Sequence, residues 1–358
     1  MNFNDTVAIV GAGFSKNAGI PLTRELNERF LELPSKSQLT PEIDTIITNH
    51  LQDFWKDVFR YHAGKVKPTF EDHFTLLDLA ANSGHNLGPN YTPAKLRALR
   101  RLSIHRVFEV LDRSFEKNSV ISEFVRAFCK GNRNAFVSTN WDIVVENHIT
   151  ERRSGGAFEH FSYGIEGIYG RTLAAPTREQ LPIIKLHGSA NWQYCDCCRH
   201  VVFGLAGRGK TSLTALTFVE PEDFVRLGEP RSVIEHVRRM KGNAHKCPTC
   251  ESQLSARVAT FSYSKAFDYF QFRGSWEAAL RRLITAKRWI FIGYSLPEAD
   301  FELRHLLKTA ELASRNKENK TIEVVLTSDG AASERYSRFF GSKIKKATCG
   351  FEQWVDRL

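Results

Sequence analysis

No apolar run in this sequence approaches the roughly 18–20 residues that a membrane-spanning helix needs, which excludes an integral helical membrane protein. Internal repeats and long low-complexity tracts are also missing. Cysteine is scarce, with seven in 358 residues, and hydrophobic and charged residues make up ordinary shares of 42% and 25%, so collagen-like, disulfide-dense and wholly disordered chains are excluded. The first ten residues, MNFNDTVAIV, lack a basic start and a cleavable apolar core. They read as a first strand and not as a signal peptide, so a cytoplasmic location is expected. The charge balance is not strongly one-sided: 50 Lys and Arg stand against 40 Asp and Glu, for a net +10. That excess is compatible with a polyanionic partner, but it is modest and comes with no binding motif, so no direct nucleic-acid partner is expected. The length suits two domains, or one large domain carrying a module.

What is present is an alternation of short apolar runs and helical patterns. Residues 6–10 (TVAIV), 134–138 (NAFVS), 181–186 (LPIIKL), 288–292 (RWIFI) and 321–326 (TIEVVL) read as buried strands. Helices are predicted from Leu22 to Leu33 and at 143–149, 276–286 and 300–313. Residues 34–130 read as mostly helical, with helices opened by Pro41 and Pro93, another from Phe70 to Ala81, and a turn-rich loop over 82–92. Strands alternating with helices predict a parallel sheet covered on both faces.

Four of these strands end alike, in polar or glycine-rich residues: GAGFSKNAGIP after the first, TNWD after the second, HGS after the third and GYSLPEAD after the fourth. In an open parallel sheet, ligands bind outside the carboxyl ends of strands at a topological switch point, so the four ends are expected to share one crevice. Gly11 and Gly13 would let the backbone approach a pyrophosphate, with the amides of the following helix offered to the anion.

Together these motifs resemble the sirtuin family. GAGFSKNAGIP with Arg24 resembles its first nucleotide-binding motif. TNWD resembles its second, KLHGS the strand end that carries its catalytic histidine, and GYSLP its loop on the ribose and phosphates of NAD. The order matches the family's and spans residues 7 to about 326. GYSLPEAD resembles the corresponding stretch of prokaryotic sirtuin-like proteins of antiphage defence, which destroy NAD. The resemblance implies NAD as substrate, His187 and Asn140 as catalytic residues, and Gly11, Ala12, Gly13, Ser15, Arg24, Asp142, Gly293 and Ser295 as cofactor-binding residues. His187 would be the base, acting through a ribose hydroxyl or on water; Asn140 would position water and ribose; Asp142 would bond the nicotinamide carboxamide. Trp141 is either a core residue or part of the nicotinamide pocket.

Five cysteines lie between 195 and 250, and such grouping favours metal over disulfides in a reduced compartment. Cys195 and Cys198 form one CxxC, Cys247 and Cys250 another, with 48 residues between. Two thiolate pairs complete a tetrahedral Zn2+ site, and four sulfurs leave no open position for catalysis. Cys197 could displace a neighbour in the ligand set. Sirtuins carry a structural zinc ribbon at this place. GLAGRGKT at 204–211 matches a P-loop pattern, but it lies between the cysteine pairs with only VVF before it, and reads as a flexible basic loop.

Departures bear on the activity. Leu22 and Thr23 stand where deacylases have Asp-Phe, and no Phe-Gly-Glu element occurs between 251 and 287. His148, in WDIVVENHI, reads as an exposed helical residue. The expectation is a Rossmann-like sirtuin fold: an NAD-binding domain of 1–33, 131–190 and 261–358, a helical insertion at 34–130 and a zinc-binding module at 191–260. The expected activity is hydrolysis of NAD to nicotinamide and ADP-ribose, with lysine deacylation, or a non-catalytic NAD- or ADP-ribose-binding subunit, as alternatives. A homo-oligomer or a triggering partner protein is expected. The helix bearing Lys95, Arg97, Arg100, Arg101, Arg106 and Arg113 reads as a solvated basic face or a docking surface for that partner.

Overall fold

A computed structural model describes residues 3–33, 39–62, 65–150, 160–204, 219–241, 246–255, 258, 270–314, 320–341 and 344–358. Strand β1 (Thr6–Val10) is flanked by β2 (Ala135–Ser138) and β10 (Arg288–Ile292), both parallel to it. Beyond β2 lie β6 (Leu181–Lys185) and the short edge strand β3 (Phe161–Ser162); beyond β10 lie β11 (Thr321–Val325) and β12 (Ile344–Ala347). The result is a seven-stranded parallel sheet in the order β12-β11-β10-β1-β2-β6-β3. Without the edge strand β3, the other six follow the doubly wound order of dinucleotide-binding sheets, with the switch between β1 and β10. The five runs predicted as strands all enter this sheet. β3 and β12 were not legible: β3 is two residues long, and β12 exposes two lysines.

Every residue of β1 is buried, and successive side chains serve opposite layers. Val7 and Ile9 join a core with α10 (Phe270–Thr285), α11 (Phe301–Ala313) and α12 (Ala331–Phe340). Ala8 and Val10 join a larger core on the other face. That second layer holds α1 (Ala12–Lys16), α2 (Thr23–Arg29), α3 (Pro41–Phe59), α4 (Phe70–Ser83), α5 (Pro93–Ser114), α6 (Ser119–Cys129), α7 (Val144–Thr150) and α13 (Gly350–Val355). Local signals set the helix starts. Thr69 Oγ1 accepts from the amide of Asp72, Thr92 Oγ1 from Lys95 and Asn118 Oδ1 from Ile121, while Pro41 and Pro93 occupy first turns.

The segment between the cysteine pairs divides. Helices α8 (Pro221–Leu227) and α9 (Arg231–Lys241) join the helical layer, where Arg101 of α5 forms a bidentate pair with the buried Asp223 and His50 Nε2 lies 2.6 Å from Glu229. The cysteines lie on a second sheet, β5-β4-β8-β7-β9, built from β4 (Gly167–Tyr169), β5 (Thr172–Ala174), β7 (Trp192–Cys195), β8 (Val201–Phe203) and β9 (Leu254–Ser255).

The basic helix differs from expectation. Arg106 of α5 is fully buried, donating to the Asp44 carbonyl at 3.1 Å, to Thr48 Oγ1 at 3.0 Å and to Glu109 at 3.3 Å. Arg100 pairs with the buried Asp78, and Arg101 with Asp223. These cations are engaged inside the layer, because each meets a buried carboxylate from another helix; they do not form a free docking face. His148 is likewise buried, with Nδ1 2.7 Å from the Val144 carbonyl. Among the described residues no helix is long and apolar enough to cross a membrane.

Candidate active site

Because the strands are parallel, the segments leaving β1, β2, β6 and β10 emerge at one end of the sheet. They border a cavity of about 230 Å3 lined by Ala12, Asn140, Asp142, His187, Gly293 and Ser295, among others.

His187 follows β6 by two residues and is 8% exposed. Its Nδ1 lies 3.1 Å from the Thr139 carbonyl. A carbonyl only accepts, so Nδ1 carries the proton and Nε2 keeps the lone pair. The indole of Trp276 lies beside the ring, centroids 6.5 Å apart, and donates to the Leu186 carbonyl at 2.9 Å. The imidazole is thus fixed in orientation and tautomer, in the form a general base requires.

Asn140 follows β2. Its amide nitrogen donates to Ser15 Oγ at 3.0 Å, and its backbone N–H donates to Ser138 Oγ at 3.2 Å. With one N–H committed to Ser15, the side-chain oxygen and the second N–H are left to meet a ligand. Asp142 is buried, and one carboxylate oxygen accepts from the Val144 amide at 3.1 Å, at the start of α7. Its main-chain carbonyl accepts from Lys185 Nζ. Lys185, almost wholly buried, also lies 3.5 Å from the equally buried Glu146, whose carboxyl burial pushes above the usual carboxylate range. Lys185 therefore ties both the loop after β2 and helix α7 to the strand that presents His187.

The glycines serve a purpose the sequence reading did not foresee. Gly11 and Gly13 do not line the cavity; Ala12 between them does. A Cβ on Gly11 would stand 2.7 Å from the Gly293 carbonyl oxygen, and one on Gly13 2.8 Å from the Gly293 Cα. The Gly13 amide donates to the Gly293 carbonyl at 2.8 Å, so it is committed within the protein. Gly293 itself has φ of 64°, and a side chain there would overlap the backbone of Phe14. The three glycines let the turn after β1 and the loop after β10 touch backbone to backbone at the switch point.

Other expected positions separate. Ser15 is 1% exposed and lies beneath Asn140, away from the cavity wall. Arg24 is exposed on α2 and does not line the cavity, whereas Thr23 and Leu26 do. Ser295 is exposed at the rim, its carbonyl accepting from Arg335 Nε at 3.0 Å. Trp141 lines the cavity and packs edge-on against Phe108 at 5.5 Å.

Sequence reading missed the opposite wall. Val107 and Leu111 of α5 and Glu71 of α4 line the cavity, so the helical layer helps to build it and does not merely project from the sheet. The apolar pair carried no distinguishing signal, since helical spacing explains any core residue. Tyr294 and Asp300 also line it, the Tyr294 hydroxyl donating to Asp300 Oδ2 at 2.8 Å. Asp300 closes the GYSLPEAD motif and could have been included on that ground.

The Sγ atoms of Cys195, Cys198, Cys247 and Cys250 all lie within 4.8 Å of one another. Three separations are 3.5 Å (195–250), 3.7 Å (195–198) and 3.7 Å (198–247). A tetrahedron with zinc–sulfur bonds of about 2.3 Å has edges of about 3.8 Å, so the cluster is compatible with Zn2+. The two CxxC turns have matching geometry. Arg199 N–H donates to the Cys195 carbonyl at 2.8 Å and Glu251 N–H to the Cys247 carbonyl at 2.9 Å, with φ of 62° and 59° at these two residues. Cys197 is exposed and outside the cluster, which removes the ambiguity over the ligand set. Residues 205–211 of the P-loop-like stretch lie outside the described residues, as do 259–269 of the segment inspected for a Phe-Gly-Glu element.

No protein-family model matches the chain, and no curated protein matches it. Solved sirtuin structures do align with it. A Sir2 complex with a p53 peptide and NAD+ is 13% identical, with 98% of this chain and 90% of that chain covered and a TM-score of 0.42. A mutant Sir2 homologue with ADP-ribose is 14% identical, over 98% and 89%, with a TM-score of 0.42. Sir2 bound to acetylated peptide is 13% identical, over 98% and 90%, with a TM-score of 0.39. Overlays this loose leave the chemistry to the residues of the site itself.

Proposed function

We propose that the protein hydrolyses NAD+ to nicotinamide and ADP-ribose, with His187 as general base and Asn140 positioning the reacting groups. The observation that carries this reading is the pairing, in one small cavity at the switch point, of an imidazole with its lone pair on Nε2 and an asparagine held through its amide nitrogen. In the reaction the C1′–N1 bond breaks and its electron pair passes to the pyridinium nitrogen, which leaves as neutral nicotinamide. Water bonds to C1′, and its proton goes to His187 Nε2 and then to solvent, through an oxocarbenium-like transition state. Asp142 would accept from the nicotinamide carboxamide, and Ser295 at the rim would meet the ribose or phosphates. The cavity is smaller than the roughly 300–1,000 Å3 usual for whole ligands, which suits the nicotinamide riboside end with the rest of the dinucleotide lying over the rim.

The four clustered cysteines would hold a structural zinc, stapling a sheet whose own buried core is small. The likeness of GYSLPEAD to sirtuin-like proteins of antiphage defence supports an effector role there, with activity governed by a homo-oligomer or a partner protein.

The test is incubation of the purified protein with NAD+, with and without an acyl-lysine peptide, and product identification by mass spectrometry. Nicotinamide and ADP-ribose should form without peptide. His187→Ala and Asn140→Ala should each cut turnover by at least about 100-fold, the usual scale for losing a general base, with unchanged thermal melting. Consumption of NAD+ only when peptide is present, with acyl transfer to ADP-ribose, would replace the hydrolase reading with a deacylase.

A further inference from the structure

A second cavity, of about 320 Å3, lies between α10 and the strands β3 and β6, and shares no lining residue with the first. Among the described residues its charged lining is Arg281 and Arg282, with no carboxylate. Arg282 is half-buried, and burial is the one influence that moves its guanidinium, lowering the pKa; no acidic neighbour raises it. Arg281 is exposed and has a loose ion pair with Glu277 at 3.9 Å, one turn back on the same helix. Such a pair contributes little and is readily exchanged for a better anion.

The opposite wall comes from β3 and the turn after it. Ser162 is 7% exposed, and its Oγ has no hydrogen-bond partner. A buried hydroxyl without a partner is costly unless a ligand or water satisfies it. Gly164, also on the wall, has φ of 74°, which keeps this turn free of a side chain. Thr285, also on the wall, donates its hydroxyl to the Arg281 carbonyl at 3.0 Å and so is no donor to a ligand.

A half-buried cation without a carboxylate, a second cation held loosely and a buried donor without an acceptor are complementary to an anion with several oxygens. We propose that this cavity binds a small phosphate-bearing anion, held by Arg281 and Arg282 and by a hydrogen bond from Ser162 Oγ. The site is independent of the NAD reading, since its residues are separate from those of the crevice.

Isothermal titration of the full chain with inorganic pyrophosphate at low salt tests this, with inorganic phosphate as the smaller probe. Saturable binding is expected. Arg282→Gln should weaken it at least about tenfold, on the scale of one charge-assisted hydrogen bond, and Ser162→Ala several-fold. Arg281→Gln, on an exposed position that folding does not need, should weaken it as well. His187→Ala should leave it unchanged, which separates this site from anion binding in the crevice. Absence of saturable binding to the wild type, or equal affinity in wild type, Arg282→Gln and Arg281→Gln, overturns the proposal.

Discussion

Ser15 illustrates how a residue can matter to a site without touching the ligand. The glycine-rich turn places it under Asn140, where its buried Oγ accepts from the asparagine's amide nitrogen. Removing that oxygen frees the Asn140 side chain to rotate, and leaves its N–H without a partner in a half-buried place. Ser15→Ala should therefore lower kcat for NAD+ by roughly tenfold, the scale of one misplaced hydrogen bond, while leaving KM nearly unchanged. A change confined to KM would return Ser15 to the substrate-contacting set in which the glycine-rich motif had placed it. Lys185 belongs to the same class. Its motif, KLHGS, drew notice for the histidine, yet the buried lysine ties Asp142 and Glu146 to the strand beneath that histidine.

At the scale of elements, the cysteine-bearing face of the second sheet has little apolar packing of its own. Its buried cluster comprises Ile168, Val202 and Leu254 together with Cys195 and Cys247 themselves. The other face of β7 and β8 is held by Trp192, Val201 and Phe203 in the larger core, so the proposed metal would chiefly order the two CxxC turns and β9. Purified protein should contain about one zinc per chain, and Cys247→Ser should release it and expose the two CxxC turns and β9 to hydrogen exchange while the parallel sheet stays protected. Undamaged protein prepared without chelator and found free of metal would count against the assignment. The CxxC pairs were legible because ligand spacing is a local property. Which of Cys195, Cys197 and Cys198 belongs to the set was not, since it depends on how the turn folds against the other pair.

The whole molecule is joined by a core that runs from the sheet through the helical layer, and that core contains a histidine. Trp55 Nε1 donates to His73 Nδ1 at 2.9 Å, so Nε2 carries the proton toward Ser103 Oγ at 2.9 Å, and Ser103 donates to the Leu99 carbonyl at 2.7 Å. Burial lowers the His73 pKa to about 3, from 6.5. Between these values the unfolded chain takes up a proton that the folded chain refuses. Stability is therefore complete above pH 6.5 and falls as pH falls, by about 1.4 kcal/mol per unit on this account. Denaturant unfolding at pH 7 and pH 5 should show that loss as about 2 kcal/mol. His73→Gln, which keeps an acceptor for Trp55, should be less stable at pH 7 and lose less on acidification. Equal losses in both proteins would assign the acid sensitivity to other groups.

The sequence by itself determined the five central strands of the sheet, the helix starts at Pro41, Phe70 and Pro93 and the four converging strand ends. Parallel strands buried on both faces read as unbroken apolar runs, as in Thr6–Val10, and caps such as Thr69 and Thr92 act within three residues. The paired CxxC spacings of the cysteine cluster were legible for the same local reason. Only the tertiary structure decided that the glycines of the first motif meet Gly293, that Arg106 and Arg101 are engaged inside the helical layer, and that α5 walls the crevice. Each of these depends on partners far along the chain: Arg101 meets Asp223 at a separation of 122 residues, and Arg106 meets Thr48 at 58. A solvated basic helix and one whose arginines are buried against carboxylates have the same composition. The packing of distant segments, which no local spacing encodes, is what distinguishes them.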